Sequence, residues 1–211
     1  MGFRDVYKSW IESDMLDETE KAELKALKDE EIEDRFYRDL EFGTGGLRGV
    51  IGMGTNRINK YIVARATKGL AEYIIENKGD ISRQSVVIAY DSRNFSKEFA
   101  KTAADVLSFN GIKVYLFDEL RPTPELSFAI RYKKATAGIV ITASHNPAKY
   151  NGYKVYWSDG GQIPPEIAKK ILDKINNIDV FDVEEGSNER LIEYVGGNQV
   201  IMSLSILIIV G

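Results

Sequence analysis

The hexapeptide T-A-S-H-N-P, residues 142–147, combines a hydroxyl, an imidazole and a carboxamide directly after the apolar run A-G-I-V-I-T. Such a run is typical of a buried strand, and α/β folds place their sites in loops at the carboxyl ends of strands. Ser144 is therefore a candidate nucleophile. A turn in which the side chains of Ser144 and Asn146 bond the local backbone explains the same residues, so both interpretations stay open.

A serine hydrolase built on Ser144 and His145 is not expected. Neighbouring side chains in an extended segment point to opposite sides, and the chain has one histidine, so no second imidazole exists to act as base. The G-x-S-x-G turn of many hydrolases is also missing around Ser144. If Ser144 is a nucleophile, its activation has to come from elsewhere in the chain.

A glycine-rich stretch, F-G-T-G-G-L-R-G, covers residues 42–49. Clustered glycines let backbone N–H groups approach an anion, and the guanidinium of Arg48 could grip a phosphate through paired donors. The spacing matches neither a Walker A loop nor a dinucleotide fingerprint. A hairpin whose glycines supply positive φ explains the stretch without a ligand, and taken alone the stretch favours that alternative.

Charged residues stand near two further strands. Asp91 and Arg93 follow the apolar run S-V-V-I-A-Y, where they could orient a phosphorylated group or only brace a loop. Lys154, in N-G-Y-K, could move protons if neighbouring cations lower its pKa, although a strand lysine is usually solvent-facing. One hydroxyl, two or three cations and a glycine-rich loop suit phosphoryl transfer better than acyl transfer.

Alternating strands and helices have to position these residues. After a helical segment over 3–41, in which Asp17 and Glu20 form a capping box, the pattern predicts helices and strands in turn. The predicted helices are 60–77, 96–110 (capped by Ser96), 124–134 and 164–175, and the predicted strands are 85–90, 112–117, 137–142 and 153–157. The pair Asn151-Gly152 predicts a turn that makes the last two strands antiparallel. We expect an α/β fold, with a mixed four-stranded sheet sandwiched between helices and a helical N-terminal extension.

Composition excludes several classes of protein. The chain of 211 residues has 28 Lys+Arg, 32 Asp+Glu and no Cys, so disulfide scaffolds, thiolate catalysis and cysteine-ligated metals are ruled out. The net charge of −4 argues against a nucleic-acid binder. Charges near Met1 fit no signal peptide, and the apolar run Val200 to Val210 is too short to span a bilayer. A cytoplasmic location without membrane contact is expected, and the run is expected to self-associate or to pack on its own domain.

Three motifs in order resemble the α-D-phosphohexomutases, the phosphoglucomutase/phosphomannomutase family. T-A-S-H-N-P followed by N-G-Y-K resembles the active-site serine loop of that family, F-G-T-G-G-L-R-G its N-terminal loop, and A-Y-D-S-R a strand-end motif. The resemblance implies domain 1 of a phosphohexomutase. It also implies transfer of a phosphoryl group between the 1- and 6-positions of a hexose phosphate through a phosphoserine.

The resemblance carries roles over to single residues. Ser144 would be the phosphoserine, and Lys154 and Arg48 would flank it in proton transfer and charge stabilisation. Mg²⁺ would bind Ser144 through its phosphate, and glucose 1,6-bisphosphate would be the phosphorylating activator. The remaining positions would contact or support the phosphosugar: Thr44, Gly45, His145, Asn146, Asp91 and Arg93.

The sequence also departs from the family pattern. The family has four domains, and the likeness covers only the first, over about residues 1–195. The D-x-D-x-D-R metal loop and the sugar-selecting loop of later domains are absent, and an atypical apolar tail begins at Gly196. We divide the chain into a helical segment (1–41), a catalytic-serine domain (42–195) and the tail (196–211). The chain is expected to be inactive alone, and a non-catalytic domain that binds a phosphosugar or a partner is the alternative.

Overall fold

The computed structural model describes residues 2–184 and 186–196. The helices are α1 (Phe3–Glu12), α2 (Glu18–Lys25), α3 (Asp29–Phe36), α4 (Lys60–Asn77), α5 (Ser96–Phe109), α6 (Thr123–Lys133) and α7 (Pro165–Asn176). The strands are β1 (Gly46–Val50), β2 (Ser85–Tyr90), β3 (Lys113–Phe117), β4 (Ala137–Ile141), β5 (Tyr150–Trp157) and β6 (Ile192–Val195). The apolar run Val200 to Val210, with its predicted self-association, lies outside the described residues.

The described strands form one six-stranded sheet in the order β1-β5-β4-β2-β3-β6. β5 is antiparallel to both β1 and β4, whereas the pairs β4/β2, β2/β3 and β3/β6 are parallel. The mixed α/β sheet is confirmed, but the predicted count of four strands is wrong. The pattern misses β1 because two glycines and an arginine interrupt its apolar residues. It misses β6 because this strand has only four residues, of which the two central ones are exposed, and so short a segment gives no recognisable strand pattern.

The predicted turn at Asn151-Gly152 is also wrong, because both residues lie inside β5. The connection between β4 and β5 is instead the segment 142–149, called the serine loop here. A Cβ on Gly152 would lie 2.6 Å from the carbonyl oxygen of Thr142 and 2.9 Å from that of Leu47. Gly152 is therefore required by the close approach of three strands, not by turn geometry.

The two faces of the sheet are covered unequally. Val86 and Ile88 of β2 pack into a large core beneath α4, α5 and α7, whereas Val87 and Ala89 face a smaller cluster beneath α6. This alternation is what a strand buried on both faces requires. On the α6 side, the strands β1 and β5 carry Arg48 and Lys154 in place of apolar residues. The candidate site therefore lies on β1 and β5, on the face of the sheet that α6 covers only in part.

The N-terminal helices pack onto the large core through an aromatic cluster. Trp10 is 1% exposed and makes edge-on contacts with Phe36, Tyr61 and Phe181. The capping box at the start of α2 is confirmed: Glu20 N donates to Asp17 Oδ1 and Asp17 N donates to Glu20 Oε2. Across 2–184 and 186–196, no helix has both the length and the apolar character needed to span a membrane.

Candidate active site

The serine loop holds Ser144 in a left-handed backbone conformation, with φ of 57°. Ser144 N donates to Thr142 Oγ1 at 3.0 Å, and Asn146 N donates to the carbonyl of Ala143 at 3.1 Å. A left-handed residue other than glycine costs about 1–2 kcal/mol, so the surrounding contacts have to compensate that cost. The Ser144 side chain is exposed. The loop is therefore a turn, but not the one expected: Ser144 Oγ lies near the His145 ring, and Asn146 Oδ1 accepts from Arg48, so among the described residues neither side chain bonds the local backbone.

The structure corrects the expected geometry of Ser144 and His145. Because Ser144 is left-handed rather than extended, the two side chains do not diverge, and Ser144 Oγ lies 3.4 Å from His145 Nδ1. Both side chains are exposed, and within the described residues no further hydrogen bond orients the imidazole. A hydrolytic triad needs a base that a third group holds in place. The contact therefore gives no support to a hydrolase.

Asp91 and Arg93 lie at the carboxyl end of β2, beside the serine loop. Asp91 Oδ1 accepts from Arg93 N at 2.9 Å and from Ser96 Oγ at 2.7 Å, and Asp91 Oδ2 lies 3.4 Å from Arg93 Nε. Ser96 does not cap α5 as predicted, since its hydroxyl is bonded to Asp91 and Phe95 occupies the N-cap position. These two charged residues and the serine loop line a cleft of about 470 Å³.

A second cleft, of about 350 Å³, contains Arg48 and Lys154. Burial is the larger cause that lowers the pKa of Lys154, and the positive charge of Arg48 lowers it further. Within the described residues neither cation forms an ion pair, and Arg48 Nη1 donates to Asn146 Oδ1 at 3.3 Å. Two cations held together without a carboxylate are an attractive position for an anion. Arg48 also connects this cleft to the serine loop.

The glycine-rich loop contributes shape more than donors. Thr44 lines the second cleft, where Gln162 Nε2 donates to its carbonyl at 3.2 Å, whereas the next residue, Gly45, is buried and does not line the cleft. Gly45 alone within residues 43–49 has a positive φ, of 118°. The N–H groups of Gly43 and Gly45 bond within the loop itself. The hairpin interpretation therefore explains Gly45 only, and the predicted anion cradle depends on side chains rather than on these two amides.

Sequence reasoning misses the buried polar group behind the site. Asn151 is fully buried, and its Nδ2 donates to Ser96 Oγ and to the carbonyl of Asn94, each at 2.9 Å. Together with the bond from Ser96 to Asp91, this chain of hydrogen bonds joins β5 to the end of β2. The Asn-Gly dipeptide hides the role of Asn151, because the same pair is the strongest local signal for a turn.

A third cleft, of about 360 Å³, lies between α4, α5 and the segment after α7. Its charged residues are neutralised by partners of the same chain. The pairs are Lys60 with Glu20, Asp105 with Lys101 and Glu184 with Lys68. Charge in this cleft therefore gives no reason to expect an ionic ligand. Across the described part of the chain, no group of three or more His, Cys, Asp or Glu residues could hold a metal ion.

The fold and the site define a three-layer α/β domain. An exposed loop serine follows a central strand, and on the neighbouring antiparallel strands stand two cations that have no carboxylate partner in the described part of the chain. Residues 39–181 match the family model for phosphoglucomutase/phosphomannomutase, alpha/beta/alpha domain I. The chain belongs to the phosphoglucomutase/phosphomannomutase family, and the part that it shares is the first domain.

Individual relatives agree with this assignment. The chain is 43% identical over 162 residues to a phosphoglucomutase of Staphylococcus haemolyticus, covering 76% of this chain and 29% of that protein. It is 42% identical over 171 residues to a phosphoglucomutase of Staphylococcus aureus, covering 80% of this chain and 30% of that protein. The chain thus spans about 30% of the length of these relatives.

Solved structures show the same fold. A protein of Thermus thermophilus assigned as a phosphomannomutase is 33% identical, with a TM-score of 0.59 and coverage of 74% of this chain and 32% of that one. The parafusin phosphoglucomutase of Paramecium, in its open form, is 17% identical with a TM-score of 0.59 over 81% of this chain and 36% of that one. The second likeness concerns the fold alone.

Proposed function

We propose that this chain is the phosphoserine-bearing domain of a phosphohexomutase, which moves a phosphoryl group between the 1- and 6-positions of a hexose phosphate. The observation that carries the proposal is an exposed, left-handed Ser144 on a loop that Arg48 contacts through Asn146. Arg48 shares a cleft with Lys154, and this cation pair has no carboxylate partner in the described residues. A phosphorylated ligand supplies the negative charge that this pair lacks. Family membership supports the same reaction class.

In the proposed reaction, a free hydroxyl of the hexose monophosphate attacks the phosphorus on Ser144. The bond from phosphorus to Ser144 Oγ breaks, the new phosphate ester forms on the sugar, and the hydroxyl proton passes to a base. Lys154 suits this role because its lowered pKa enlarges its neutral fraction, and the proton then returns to Ser144 Oγ. Arg48 stabilises charge on the phosphoryl oxygens. The sugar bisphosphate then reorients in the site, and its other phosphoryl group is transferred back to Ser144 Oγ.

Mg²⁺ and glucose 1,6-bisphosphate belong to the proposal as cofactor and activator. The described residues offer a metal ion little beyond a phosphoryl oxygen on Ser144, because both oxygens of Asp91 are engaged with Arg93 or Ser96. When bound there, Mg²⁺ would neutralise charge on the phosphoryl group. We place the protein in the cytoplasm, where hexose phosphates are metabolised. Thr44, Gly45, His145 and Asn146 remain proposed contacts of the phosphosugar.

The test is phosphate incorporation from glucose 1,6-bisphosphate, followed by peptide mass spectrometry. We expect the phosphate on Ser144 and complete loss of incorporation in Ser144→Ala. Ser92→Ala is the matched control, because Ser92 is an exposed serine lining the same cleft as Ser144. Its incorporation should equal that of the wild type. Undiminished labelling of Ser144→Ala would rule out the phosphoserine.

The alternative is a domain that binds a phosphosugar and transfers nothing. Arg48 and Lys154 are compatible with this alternative, because two neighbouring cations can bind an anion without any reaction at Ser144. Calorimetric titration with glucose 6-phosphate and a mutase assay on the same 211-residue chain separate the two functions. Binding without phosphate on Ser144 supports the alternative, and measurable conversion of glucose 1-phosphate to glucose 6-phosphate excludes it.

A further inference from the structure

Arg93 directs both terminal nitrogens of its guanidinium at the backbone of the serine loop and the start of β5. Nη2 lies 2.6 Å from the carbonyl oxygen of Ser144 and 2.7 Å from that of Asn146. Nη1 lies 3.1 Å from the carbonyl oxygens of both Pro147 and Tyr150. Four carbonyl groups, from residues more than 50 positions away along the chain, therefore converge on a single cation.

The rest of the Arg93 guanidinium is paired with a carboxylate of the same chain. A guanidinium carries five N–H groups, one on Nε and two on each terminal nitrogen. Nε of Arg93 faces the Asp91 carboxylate, and the side chain of Arg93 is only 14% exposed. Each of the four donors on the terminal nitrogens thus has a carbonyl oxygen as its partner, and these donors are not available to a phosphosugar.

We propose that Arg93 is a positioning residue, which fixes the left-handed conformation of Ser144 by binding the carbonyl oxygens of its loop. Convergent carbonyl oxygens repel one another and, when buried, are costly without a donor. The Arg93 cation offsets the repulsion among the four carbonyl oxygens, and one of its bonds is to the carbonyl of Ser144 itself. Arg93 therefore acts on the reaction through the loop and not through the ligand.

The fork geometry of arginine makes Arg93→Lys a sharp test. Lysine keeps the charge but presents three donors on one nitrogen, which does not reach four carbonyl oxygens spread over two terminal nitrogens. Arg65→Lys is the matched control. Arg65 is similarly buried, at 13% exposed, and it too combines a carboxylate, Asp39, with a backbone carbonyl, that of Ile175. Arg65 contacts α7 rather than the serine loop.

The first measurement is amide hydrogen exchange in the unphosphorylated 211-residue chain. The amides of Ser144, Asn146 and Tyr150 are bonded within the serine loop or at its end. We expect Arg93→Lys to accelerate their exchange about tenfold, and Arg65→Lys to leave them unchanged. Wild-type protection of these amides in Arg93→Lys would overturn the proposal. This readout does not depend on any activity.

The second measurement concerns the reaction, and it rests on the proposed function of Ser144. With glucose 1,6-bisphosphate, Arg93→Lys should lower the maximal rate of Ser144 phosphorylation about tenfold and leave the half-saturating concentration unchanged. Arg48→Lys should raise the half-saturating concentration, since Arg48 lines the cationic cleft. A raised half-saturating concentration in Arg93→Lys would show that Arg93 binds the ligand and overturn the proposal. Failure of the wild type to accept phosphate overturns the proposed function instead, and the exchange rates alone then decide the role of Arg93.

A third measurement needs no variant and covers the case in which Arg93→Lys fails to fold. Nitrogen-15 NMR of the wild-type arginine side chains should show separate, slowly exchanging Nη protons for Arg93, because hydrogen bonds on both terminal nitrogens stop rotation of the guanidinium. Addition of glucose 1,6-bisphosphate should leave these signals in place. A single averaged Nη signal, which would indicate a freely rotating guanidinium, would overturn the proposal. So would Nη signals of Arg93 that shift on addition of the bisphosphate, which would indicate direct contact with the ligand.

Discussion

Two pairs of cations stand at opposite edges of the sheet, and only one pair has a carboxylate. At the β6 edge, Lys113 and Lys133 lie 2.9 Å and 3.1 Å from the two carboxylate oxygens of Glu193. At the β1 edge, Arg48 and Lys154 have no such partner among the described residues. The first pair fastens β6 to β3 and α6. In the second pair, Arg48 donates to the carboxamide of Asn146, and no negative charge offsets the two cations there.

The pKa values of the lysines record this difference. The hydrogen bond to Glu193 raises the pKa of Lys113, whereas burial and then Arg48 lower the pKa of Lys154. A cation pair that is neutralised internally contributes to the fold. A pair that is left positive destabilises the fold slightly and attracts an anion. Within a single sheet, the presence of a carboxylate therefore separates structural cations from those available to a ligand.

The largest effect is expected where packing holds the unneutralised pair in place. Gly152 lies opposite Arg48 in the register of β1 and β5. In Gly152→Ala the added Cβ meets two backbone carbonyl oxygens, of Thr142 at 2.6 Å and of Leu47 at 2.9 Å, so β1 and the start of the serine loop have to move away from β5. We expect a loss of about 3 kcal/mol in the free energy of unfolding, measured with urea.

Gly43→Ala is the control for that substitution, since no heavy atom lies within 4 Å of its added Cβ. Its effect should stay within about 0.5 kcal/mol. Separation of β1 from β5 should also move Arg48 away from Lys154 and raise the Lys154 pKa. A stable Gly152→Ala protein with an unchanged Lys154 pKa would show that packing does not hold the pair together.

The second prediction gives Arg48 and Lys154 the carboxylate partner that they lack among the described residues, where Glu41 of the same cleft pairs with Arg38. Thr44 is exposed and lines the cleft of Arg48 and Lys154. Thr44→Asp should raise the Lys154 pKa and weaken binding of glucose 6-phosphate at least about tenfold, which is about 1.4 kcal/mol, in calorimetric titration. Thr44→Asn, which has the shape of the Asp variant without its charge, should weaken binding much less than Thr44→Asp does. Equal affinities of the Asp and Asn variants would contradict the role of the missing carboxylate.

The sequence predicts elements well where the local pattern decides them. The strand at 85–90 and the helix at 60–77 agree with β2 and α4, because a continuous apolar run and an apolar stripe are local signals. The glycines of β1 are required by contacts with the neighbouring strand, which a local sequence pattern does not show: a Cβ on Gly46 would overlap the carbonyl oxygen of Tyr153. Strand β1 was therefore beyond pattern reasoning.

The same limit applies to the candidate site. Ser144, Arg48 and Lys154 stand out by residue type, and the structure places them on the serine loop and the two strands beside it. The donors of Arg93 meet carbonyl groups more than 50 residues away, and a carbonyl group belongs to every residue type. The sequence therefore names the candidate reactive groups, but not the residues that hold the loop around them.

The third prediction concerns pH at the β1 edge. Because the folded-state pKa of Lys154 lies below its unfolded value, the fold disfavours the charged lysine. The free energy of unfolding should therefore gain a contribution as pH rises from the folded pKa through the unfolded pKa, about 10.4. Urea unfolding of wild type and Lys154→Met, between about pH 8 and about pH 11, isolates this contribution by difference. Arg48→Gln should reduce this contribution without abolishing it, since burial is the larger cause of the lowered Lys154 pKa.

An identical pH dependence of unfolding in wild type and Lys154→Met would refute the prediction.

The smallest effect is expected at the neutralised pair. Lys113 and Lys133 lower the pKa of Glu193, so its stabilisation is present above the unfolded pKa of glutamate, about 4.3, and is lost as pH falls through the folded pKa. The side chain of Glu193 is 44% exposed, so solvent screening limits this contribution to less than about 1 kcal/mol.

Glu193→Gln should abolish the acid-dependent part of the free energy of unfolding. It should also accelerate amide exchange in β6 without affecting phosphate on Ser144. Measurements of urea unfolding between about pH 6 and about pH 3 check this, because the wild type should then lose more stability than the variant. If both lose the same, Glu193 does not fasten β6, and the two edges of the sheet differ in position but not in electrostatic role.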